Sequence, residues 1–369
     1  MDKLNLKPGV LTGAAVKELF AYCKAAGCAL PAVNVIGSNS ANAAMAAARA
    51  ARAPIIIQIS HSGAQFFAGK TLDNSRHQAS IAGAIAGAYH VRAMAAVYGV
   101  PVVLHTDHCA KKLLPWLDGV IDAGETYYRQ HGEPMFSTHM LDLSEQPLGE
   151  NIDTAARYLA RIAKMGMTLE LEIGITGGEE DGVDNRGVAH DRLYTNPADV
   201  LKVHDALSPI GSFNLAAAFG NTHGVYAPGN VKLLPTILRD SQQYVERERK
   251  TGPKPVNFVF HGGSGSSRAD IAEAVSYGIV KMNIDTDTQW AFTHPIKAFM
   301  DEKGAYLLSE VGNPEGADRP NKKYFDPRGW LMIVSGNPGN ALVDLGLSIG
   351  DMIWITGSIT GQAHADPGL

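Results

Sequence analysis

Acids and histidines stand at the ends of four successive apolar runs of strand length. The runs are PVVLHTDH (101–108), TLELEIG (168–174), FNLAAAFGNTH (213–223) and VNFVFHGG (256–263). They deliver Asp107, His108, Glu172, His223 and His261, which meet at one rim if the strands are parallel. Imidazoles and carboxylates that converge from separate strands suit a catalytic divalent metal. One such histidine alone is better explained as a hydrogen-bonded structural residue, but the repetition favours a metal site.

Side-chain alternation along these runs sorts the acids further. Asp107 and His108 point to opposite faces of an extended strand, so both reach one site only where that strand ends. Glu170 and Glu172 share a face of an apolar strand, where a buried carboxylate is costly without a compensating cation. A metal would compensate Glu172, while an ion pair with lysine or arginine is the alternative for Glu170. Lys281, inside the last apolar run, could form a Schiff base with a carbonyl substrate, but a salt-bridged or exterior lysine is favoured.

Two glycine-rich loops follow these strands. The loop GGEEDG (177–182) lies above the expected rim, and its glycines permit a lid movement that would bring Glu179 or Glu180 in as a base. In HGGSGSS (261–267), a strand leads through glycine and serine into a helix, which offers backbone N–H groups to a phosphate. The segment NIDT (283–286) could complete that phosphate site. A tight turn that needs glycine only for its backbone angles is the alternative.

Eight strand-like runs alternate with helix-like segments. The predicted strands are 31–35, 54–60, 101–107, 135–141, 168–174, 213–220, 256–262 and 279–285. The predicted helices are 13–26, 41–52, 78–98, 145–164, 197–207, 267–277 and 288–302. This α/β alternation predicts a single (β/α)8 TIM barrel with metal and phosphate sites at the C-terminal rim of the strands. A doubly wound sheet is disfavoured because no GxGxxG follows the first strand.

Composition limits the class of protein. The 369 residues are 45% hydrophobic, enough for a sizeable core, and the net charge of −5 leaves no broad basic face for nucleic acid or an anionic membrane. The three cysteines, Cys23, Cys28 and Cys109, show no CxxC pair, which is typical of a reducing compartment. No apolar stretch has transmembrane length, and the first residues lack a signal-peptide core, so we expect a cytoplasmic protein without a membrane partner.

Taken together, the motifs resemble one family, the class II, metal-dependent fructose-1,6-bisphosphate aldolases. The resemblance extends from KPGVLTG (7–13) to NKKYFDPR (321–328). It includes LHTDHCAKKLLPW, TGGEEDGVDN, FGNTHGVYAPGN, NFVFHGGSGS and VKMNIDTDTQW. Motifs of this length in this order are specific, and the long acidic loop resembles the dimeric bacterial and fungal subgroup.

The resemblance implies reversible cleavage of fructose 1,6-bisphosphate to dihydroxyacetone phosphate and glyceraldehyde 3-phosphate, in glycolysis and gluconeogenesis. It implies a Zn2+ ion that stabilises the enediolate, a monovalent cation (Na+ or K+) near the phosphate, and a homodimer. The implied zinc ligands are His108, His223 and His261, with Asp142 and Glu172 at a second or alternative metal position. Asp107 is the implied acid/base at the C4 oxygen, and Glu180 the lid base at the nucleophilic carbon of dihydroxyacetone phosphate. The implied substrate contacts are Asn34, Ser60, Gly224, Gly262, Gly263, Ser264, Asn283, Ile284, Asp285, Thr286 and, for the distal phosphate across the dimer, Arg328.

The C-terminal residues depart from the family pattern. We predict a barrel domain over 1–328 and an atypical tail over 329–369, which is glycine-rich where the family continues with a charged amphipathic helix. An altered reading frame and a divergent folded tail both explain the departure.

Tagatose 1,6-bisphosphate is the alternative substrate, and Asn34 and Ser60 could serve only as helix caps. A metal-dependent barrel hydrolase is disfavoured because the first strand, PAVNV, has no HxH pair, and a non-catalytic role is the third alternative.

Overall fold

Eight parallel strands close on themselves around a central axis. The structure, a computed structural model, describes residues 4–174, 177–180, 183–184, 193–223, 233–263 and 266–335, and for 177–180, 183–184, 222–223 and 332–335 it describes the backbone alone. The barrel strands are β2 (Leu30–Asn34), β3 (Ile55–Ile59), β4 (Pro101–Thr106), β5 (Thr138–Leu141), β6 (Thr168–Ile173), β9 (Phe213–Ala217), β11 (Phe258–Phe260) and β12 (Ile279–Ile284). Each pairs with the next in this order, and β12 returns to β2 with Asn283 beside Ala32. The predicted TIM barrel is therefore confirmed, with all eight predicted strands in place.

Helices alternate with these strands and cover the outside of the barrel. They are α1 (Ala14–Ala26), α2 (Ser38–Ala51), α3 (His61–Ala68), α4 (Gln78–Tyr98), α5 (Leu114–His131), α6 (Leu148–Ile162), α7 (Pro197–Leu207), α8 (Thr236–Arg249), α9 (Arg268–Ser276), α10 (Thr286–Lys303), α11 (Lys322–Phe325) and α12 (Pro327–Ser335). The sequence prediction contained seven of them and omitted α3, α5, α8, α11 and α12. Within the described residues, no helix has the length and apolar character needed to cross a bilayer.

Short strands lie outside the barrel wall. They are β1 (Gly9–Val10), β7 (Gly177–Glu180), β8 (Val183–Asp184), β10 (Thr222–His223), β13 (Val311–Asn313) and β14 (Gly316–Pro320). The pair β7–β8 and the adjoining β10 form a small sheet after the ends of β6 and β9. This sheet brings the backbone of His223 beside Gly178 of the acidic loop.

The barrel interior is layered from apolar to polar. At one end, Ile56 and Val103 pack in a buried cluster with Leu19 and Phe20 of α1. Because successive side chains alternate, the face of β4 that carries Val103 also carries the later polar residue His105. The strand sequence thus places an apolar layer at the N-terminal end and polar side chains towards the C-terminal end.

Helices α3 and α4 approach each other closely through a glycine. A Cβ atom at Gly83 would lie 1.8 Å from the carbonyl oxygen of Ala64, a contact that no side chain can make. The small residues of α4 therefore allow α3 to lie against it, directly after the end of β3.

Helix α12 crosses the domain boundary predicted after residue 328. It packs against α2 and α10, so the first residues of the tail are helical. Residues 336–369 lie outside the described residues, and the separation of a tail domain stays a prediction.

Candidate metal and catalytic site

Three buried side chains bring metal-ligand atoms together at the C-terminal rim. One ligand atom from each of His108, Glu172 and His261 lies within 4.8 Å of the others. His261 Nδ1 is 2.9 Å from Glu172 Oε2, and the two imidazole centroids are 4.8 Å apart. Strand β4 ends at Thr106, which is why both Asp107 and His108 reach the site. Two imidazoles and a carboxylate in a dry pocket are a donor set that fits a divalent ion such as zinc.

Asp107 is enclosed beside this cluster and is held by two amides. Its Oδ2 atom accepts hydrogen bonds from Asn34 Nδ2 at 2.8 Å and from Gln58 Nε2 at 3.1 Å. Gln58 Nε2 also donates to Asn34 Oδ1 at 2.5 Å, so the two amides brace each other. Burial raises the pKa of Asp107, but the adjacent His108 and the charge of Lys281 outweigh burial and hold that pKa well below its ordinary value. Asp107 is therefore an ionised carboxylate in a fixed orientation, which equips it to accept a proton.

A charged layer lies directly beneath the cluster. Lys281 Nζ is 2.7 Å from Glu170 Oε1, and the same oxygen is 3.0 Å from His261 Nε2. Burial opposes ionisation of Glu170, but Lys281 and His105 lower its pKa well below the ordinary range. Burial also lowers the pKa of His261, yet the carboxylates of Glu172 and Glu170 raise it to about 9. The expectation that Lys281 is salt-bridged is confirmed, and its partner is Glu170.

Asp142 lies at the edge of this arrangement. Asp142 follows β5, and its Oδ1 accepts a hydrogen bond from Ser144 Oγ at 2.7 Å. Burial and the charge of Glu172 raise the pKa of Asp142, which places its carboxylate near that ligand. His223 is described by its backbone alone, which lies in β10.

The expected phosphate side of the rim is formed by the ends of β11 and β12. Gly262 has a φ of 62°, and a Cβ atom at Gly263 would lie 2.3 Å from Met282 Cε. Asn283 is buried, and neither polar atom of its amide has a hydrogen-bond partner among the described residues. A buried amide without partners is costly, so it indicates a position that a ligand satisfies. Ile284 ends β12, Asp285 precedes α10, and Thr286 is its first residue.

Other predicted site residues lie elsewhere or outside the description. Ser60 caps α3 by accepting a hydrogen bond from Gly63 N at 3.2 Å, so the capping alternative describes its contacts here. Arg328 has a side chain 87% exposed and pairs with Asp326 at 2.6 Å, so no contact joins it to the metal cluster in the described chain. Glu180 is placed only by its backbone in β7. Gly224 and Ser264 lie outside the described residues.

Gln58 is the site residue that the sequence analysis missed. It is fully buried between isoleucines in PIIIQIS, and an amide inside an apolar strand was the available signal. Its position two residues before Ser60 places it on the face of β3 that looks into the barrel.

A (β/α)8 barrel with buried imidazoles, a carboxylate and a braced base at its C-terminal rim defines a metal-dependent barrel enzyme. Comparison with known proteins narrows that class. The family model for class-II fructose-bisphosphate aldolase matches residues 14–337. The chain therefore belongs to the class II, metal-dependent fructose-bisphosphate aldolase family, which makes it an aldehyde-lyase.

Individual relatives agree over nearly the whole chain. A fructose-bisphosphate aldolase of Haemophilus influenzae is 58% identical over 88% of this chain and 91% of its own. A class 2 fructose-bisphosphate aldolase of Escherichia coli is 55% identical over the same shares. A crystal structure of the Campylobacter jejuni fructose-bisphosphate aldolase superposes with a TM-score of 0.84 at 48% identity, covering 95% of this chain and 96% of that one.

Proposed function

We propose that this protein cleaves fructose 1,6-bisphosphate reversibly to dihydroxyacetone phosphate and glyceraldehyde 3-phosphate with zinc at the rim cluster. The observation that carries the proposal is the convergence of buried His108, Glu172 and His261 beside the braced Asp107. Membership of the aldolase family supports the reaction, and the donor set supports the metal.

His108, His223 and His261 would hold the zinc ion, with Glu172 and Asp142 at a second or alternative position. When bound, zinc supplies positive charge to the oxygen of the C2 carbonyl, where negative charge develops as the C3–C4 bond breaks. His108 and His261 directly follow the ends of β4 and β11, so the barrel wall limits how far apart they lie.

Asp107 carries the proton of the C4 hydroxyl. In cleavage it accepts that proton while the C3–C4 bond breaks and the aldehyde forms, and in synthesis it returns the proton to the C4 oxygen. Asn34 and Gln58 hold its Oδ2 atom, while Oδ1, which lies 3.2 Å from His108 Nδ1, is the oxygen that would receive the proton of the reacting hydroxyl. Asn34 also touches the middle of the substrate, as does Ser60.

The remaining roles concern the two phosphates and the lid. Gly262, Gly263, Asn283, Asp285 and Thr286 hold dihydroxyacetone phosphate by backbone and side-chain groups, together with Gly224, Ser264 and Ile284. Two phosphates give binding energy away from the reacting bond, which positions it for cleavage. A monovalent cation, Na+ or K+, would balance charge near this phosphate.

Glu180, in the acidic loop, exchanges the proton at the nucleophilic carbon of dihydroxyacetone phosphate. Arg328 serves the distal phosphate across a homodimer, which requires α12 of one protomer to reach the rim of the other. The enzyme works in glycolysis and gluconeogenesis in the cytoplasm. All three cysteines are buried and unpaired, which supports a reducing compartment.

The test is cleavage of fructose 1,6-bisphosphate before and after EDTA, again after zinc is restored, and with borohydride added to the substrate-loaded enzyme. We expect activity to be lost to EDTA, to return with zinc and to be indifferent to borohydride. Activity that survives EDTA but is lost to borohydride would overturn the metal mechanism in favour of a Schiff base at Lys281. Cleavage of tagatose 1,6-bisphosphate in preference to fructose 1,6-bisphosphate would overturn the substrate assignment.

A further inference from the structure

An ion pair is buried one layer below the proposed metal cluster. Glu170 and Lys281 are each 1% exposed, and Lys281 Nζ lies 2.7 Å from Glu170 Oε1. Removing two charges from water is expensive, and well-packed apolar side chains of similar volume are often as stable as a buried ion pair. No step assigned above to Asp107 or Glu180 uses this pair, so its presence calls for another explanation.

His261 connects the pair to the metal cluster. Its two ring nitrogens face different carboxylates: Nε2 is 3.0 Å from Glu170 Oε1, and Nδ1 is 2.9 Å from Glu172 Oε2. A metal-bound imidazole keeps one N–H and binds the metal through the lone pair of its other nitrogen. If Nε2 donates its hydrogen to Glu170, the lone pair of Nδ1 faces the side where Glu172 and His108 lie. Glu170 thus selects the tautomer and the ring orientation that a metal ligand needs.

Lys281 holds Glu170 in the orientation for this contact. Both Lys281 and His261 contact the same oxygen, Oε1. The other oxygen of Glu170 is 3.8 Å from His105 Nε2, beyond hydrogen-bond distance, and His105 is itself turned to Thr138 Oγ1 at 2.7 Å. Lys281 is therefore the short charged contact that keeps Glu170 Oε1 beneath His261.

We propose that the Lys281–Glu170 ion pair positions His261 through Nε2, so that Nδ1 binds the metal, and that this raises the affinity of the rim site for zinc. Carboxylates that orient a metal-binding histidine in this way change metal affinity by about 10–100-fold in other proteins. The proposal rests on the proposed function, because it concerns the same site.

The test compares zinc binding by the metal-free wild type with Glu170→Gln, Lys281→Met and the double variant. Zinc dissociation constants are measured by competition with a chromophoric chelator, and the ligand field is followed by the visible spectrum of the Co2+ form. Urea unfolding gives stability separately. His139→Gln is the matched control: His139 is also buried and bonded to a strand neighbour, Thr106 Oγ1 at 2.7 Å, but it contacts neither Glu170 nor His261 in the described chain.

We expect the single variants to bind zinc about 10–100-fold more weakly and to change the Co2+ spectrum. Each also leaves one charge buried alone, so each loses stability. The double variant removes both charges, so we expect it to regain stability while its zinc affinity stays low. Zinc binding can therefore be measured in the double variant even if a single variant does not fold. His139→Gln changes stability and leaves zinc affinity and the Co2+ spectrum at their wild-type values.

Wild-type zinc affinity and an unchanged Co2+ spectrum in Glu170→Gln and in the double variant would overturn the positioning role. If the wild type then still needs zinc for cleavage, the proposed function stands without it. A wild type that binds neither zinc nor Co2+ would overturn both proposals.

Discussion

Replacing Gln58 by methionine tests whether the orientation of Asp107 limits the reaction. Gln58 is fully buried and donates to Asp107 Oδ2 at 3.1 Å and to Asn34 Oδ1 at 2.5 Å. Methionine fills a similar volume but donates neither hydrogen bond. Asp107 then keeps only the hydrogen bond from Asn34, and the side chain of Asn34 loses its own hydrogen bond from position 58. We expect kcat for cleavage of fructose 1,6-bisphosphate to fall with little change in KM.

The size of the effect follows from the bond to the carboxylate. A hydrogen bond to a charged group contributes about 1.5–3 kcal/mol. If the reaction needs the whole of that interaction, kcat falls by roughly 10–150-fold, since each 1.36 kcal/mol in the barrier is a factor of ten. Stability should fall as well, because Asp107 Oδ2 and Asn34 Oδ1 each lose a buried donor, so the effect on kcat has to be separated from this loss.

Two measurements separate this effect from general damage. The first is proton exchange on dihydroxyacetone phosphate, which in the proposed function depends on Glu180 and zinc but not on the C4 proton, and which should stay near its wild-type rate. The second is Gln242→Met, a matched control with another buried glutamine, whose amide bonds the backbone of Val256 and Tyr277. That variant should lose stability and keep kcat. Wild-type kcat in Gln58→Met, or an equal loss of cleavage and exchange, would refute the orienting role of Gln58.

Three further perturbations follow from the packing and the buried histidines. In Gly263→Ala the new Cβ would lie 2.3 Å from Met282 Cε and 3.0 Å from Met282 Cγ, so Met282 must move, and we expect the free energy of unfolding in urea to fall by about 1–3 kcal/mol. If Gly263 holds dihydroxyacetone phosphate as proposed, the displaced turn should also raise KM in steady-state kinetics. In Gly83→Ala the new Cβ would clash with the backbone of Ala64, so the free energy of unfolding in urea should fall by at least about 1–3 kcal/mol. The control is Gly124→Ala, where the space around the Cβ is open and alanine favours the helix, so the same free energy should rise by up to ~1 kcal/mol. Burial, His105 and Arg161 lower the pKa of His139 to about 3 in the folded protein. Between pH 6.5 and pH 3, His139 therefore binds a proton in the unfolded chain and stays neutral in the folded protein. The preference for a neutral His139 leaves stability unchanged above pH 6.5 and destabilises the folded protein as pH falls towards 3, by about 2 kcal/mol at pH 5. His139→Asn should therefore remove this part of the change in urea midpoint between pH 7 and pH 5.

The elements with strong period signals were predictable from the sequence. All eight barrel strands were found because each is a short apolar run bounded by turn residues, and their ends fell within a few residues of those observed. The missed helix α5 has an equally regular pattern, with Trp116, Val120 and Tyr127 on its buried side. Helix α3 was missed because only Ser60 separates it from the end of β3, which leaves no loop to mark it.

The cluster of His108, Glu172 and His261 was predictable for a related reason. Each of these side chains belongs to a strand end, and parallel strands in a closed barrel bring their C-terminal ends to one rim whatever the strand order. Arg328 depended on no such rule. Its place in the site was implied by resemblance alone, and in the single chain it pairs with Asp326 on the surface.

Which layer a side chain occupies depends on the stagger of the strands, and the sequence does not state that stagger. Alternation assigns Gln58, His105, Glu170 and Lys281 to the inside of the barrel, but it does not say which of them lie level with one another. The closed sheet decides that Lys281 meets Glu170 across 111 positions of sequence, and that both lie beneath His261. Partners of this kind are set by closure of the whole barrel. A change in any strand that shifts this stagger should therefore alter metal affinity without touching a ligand.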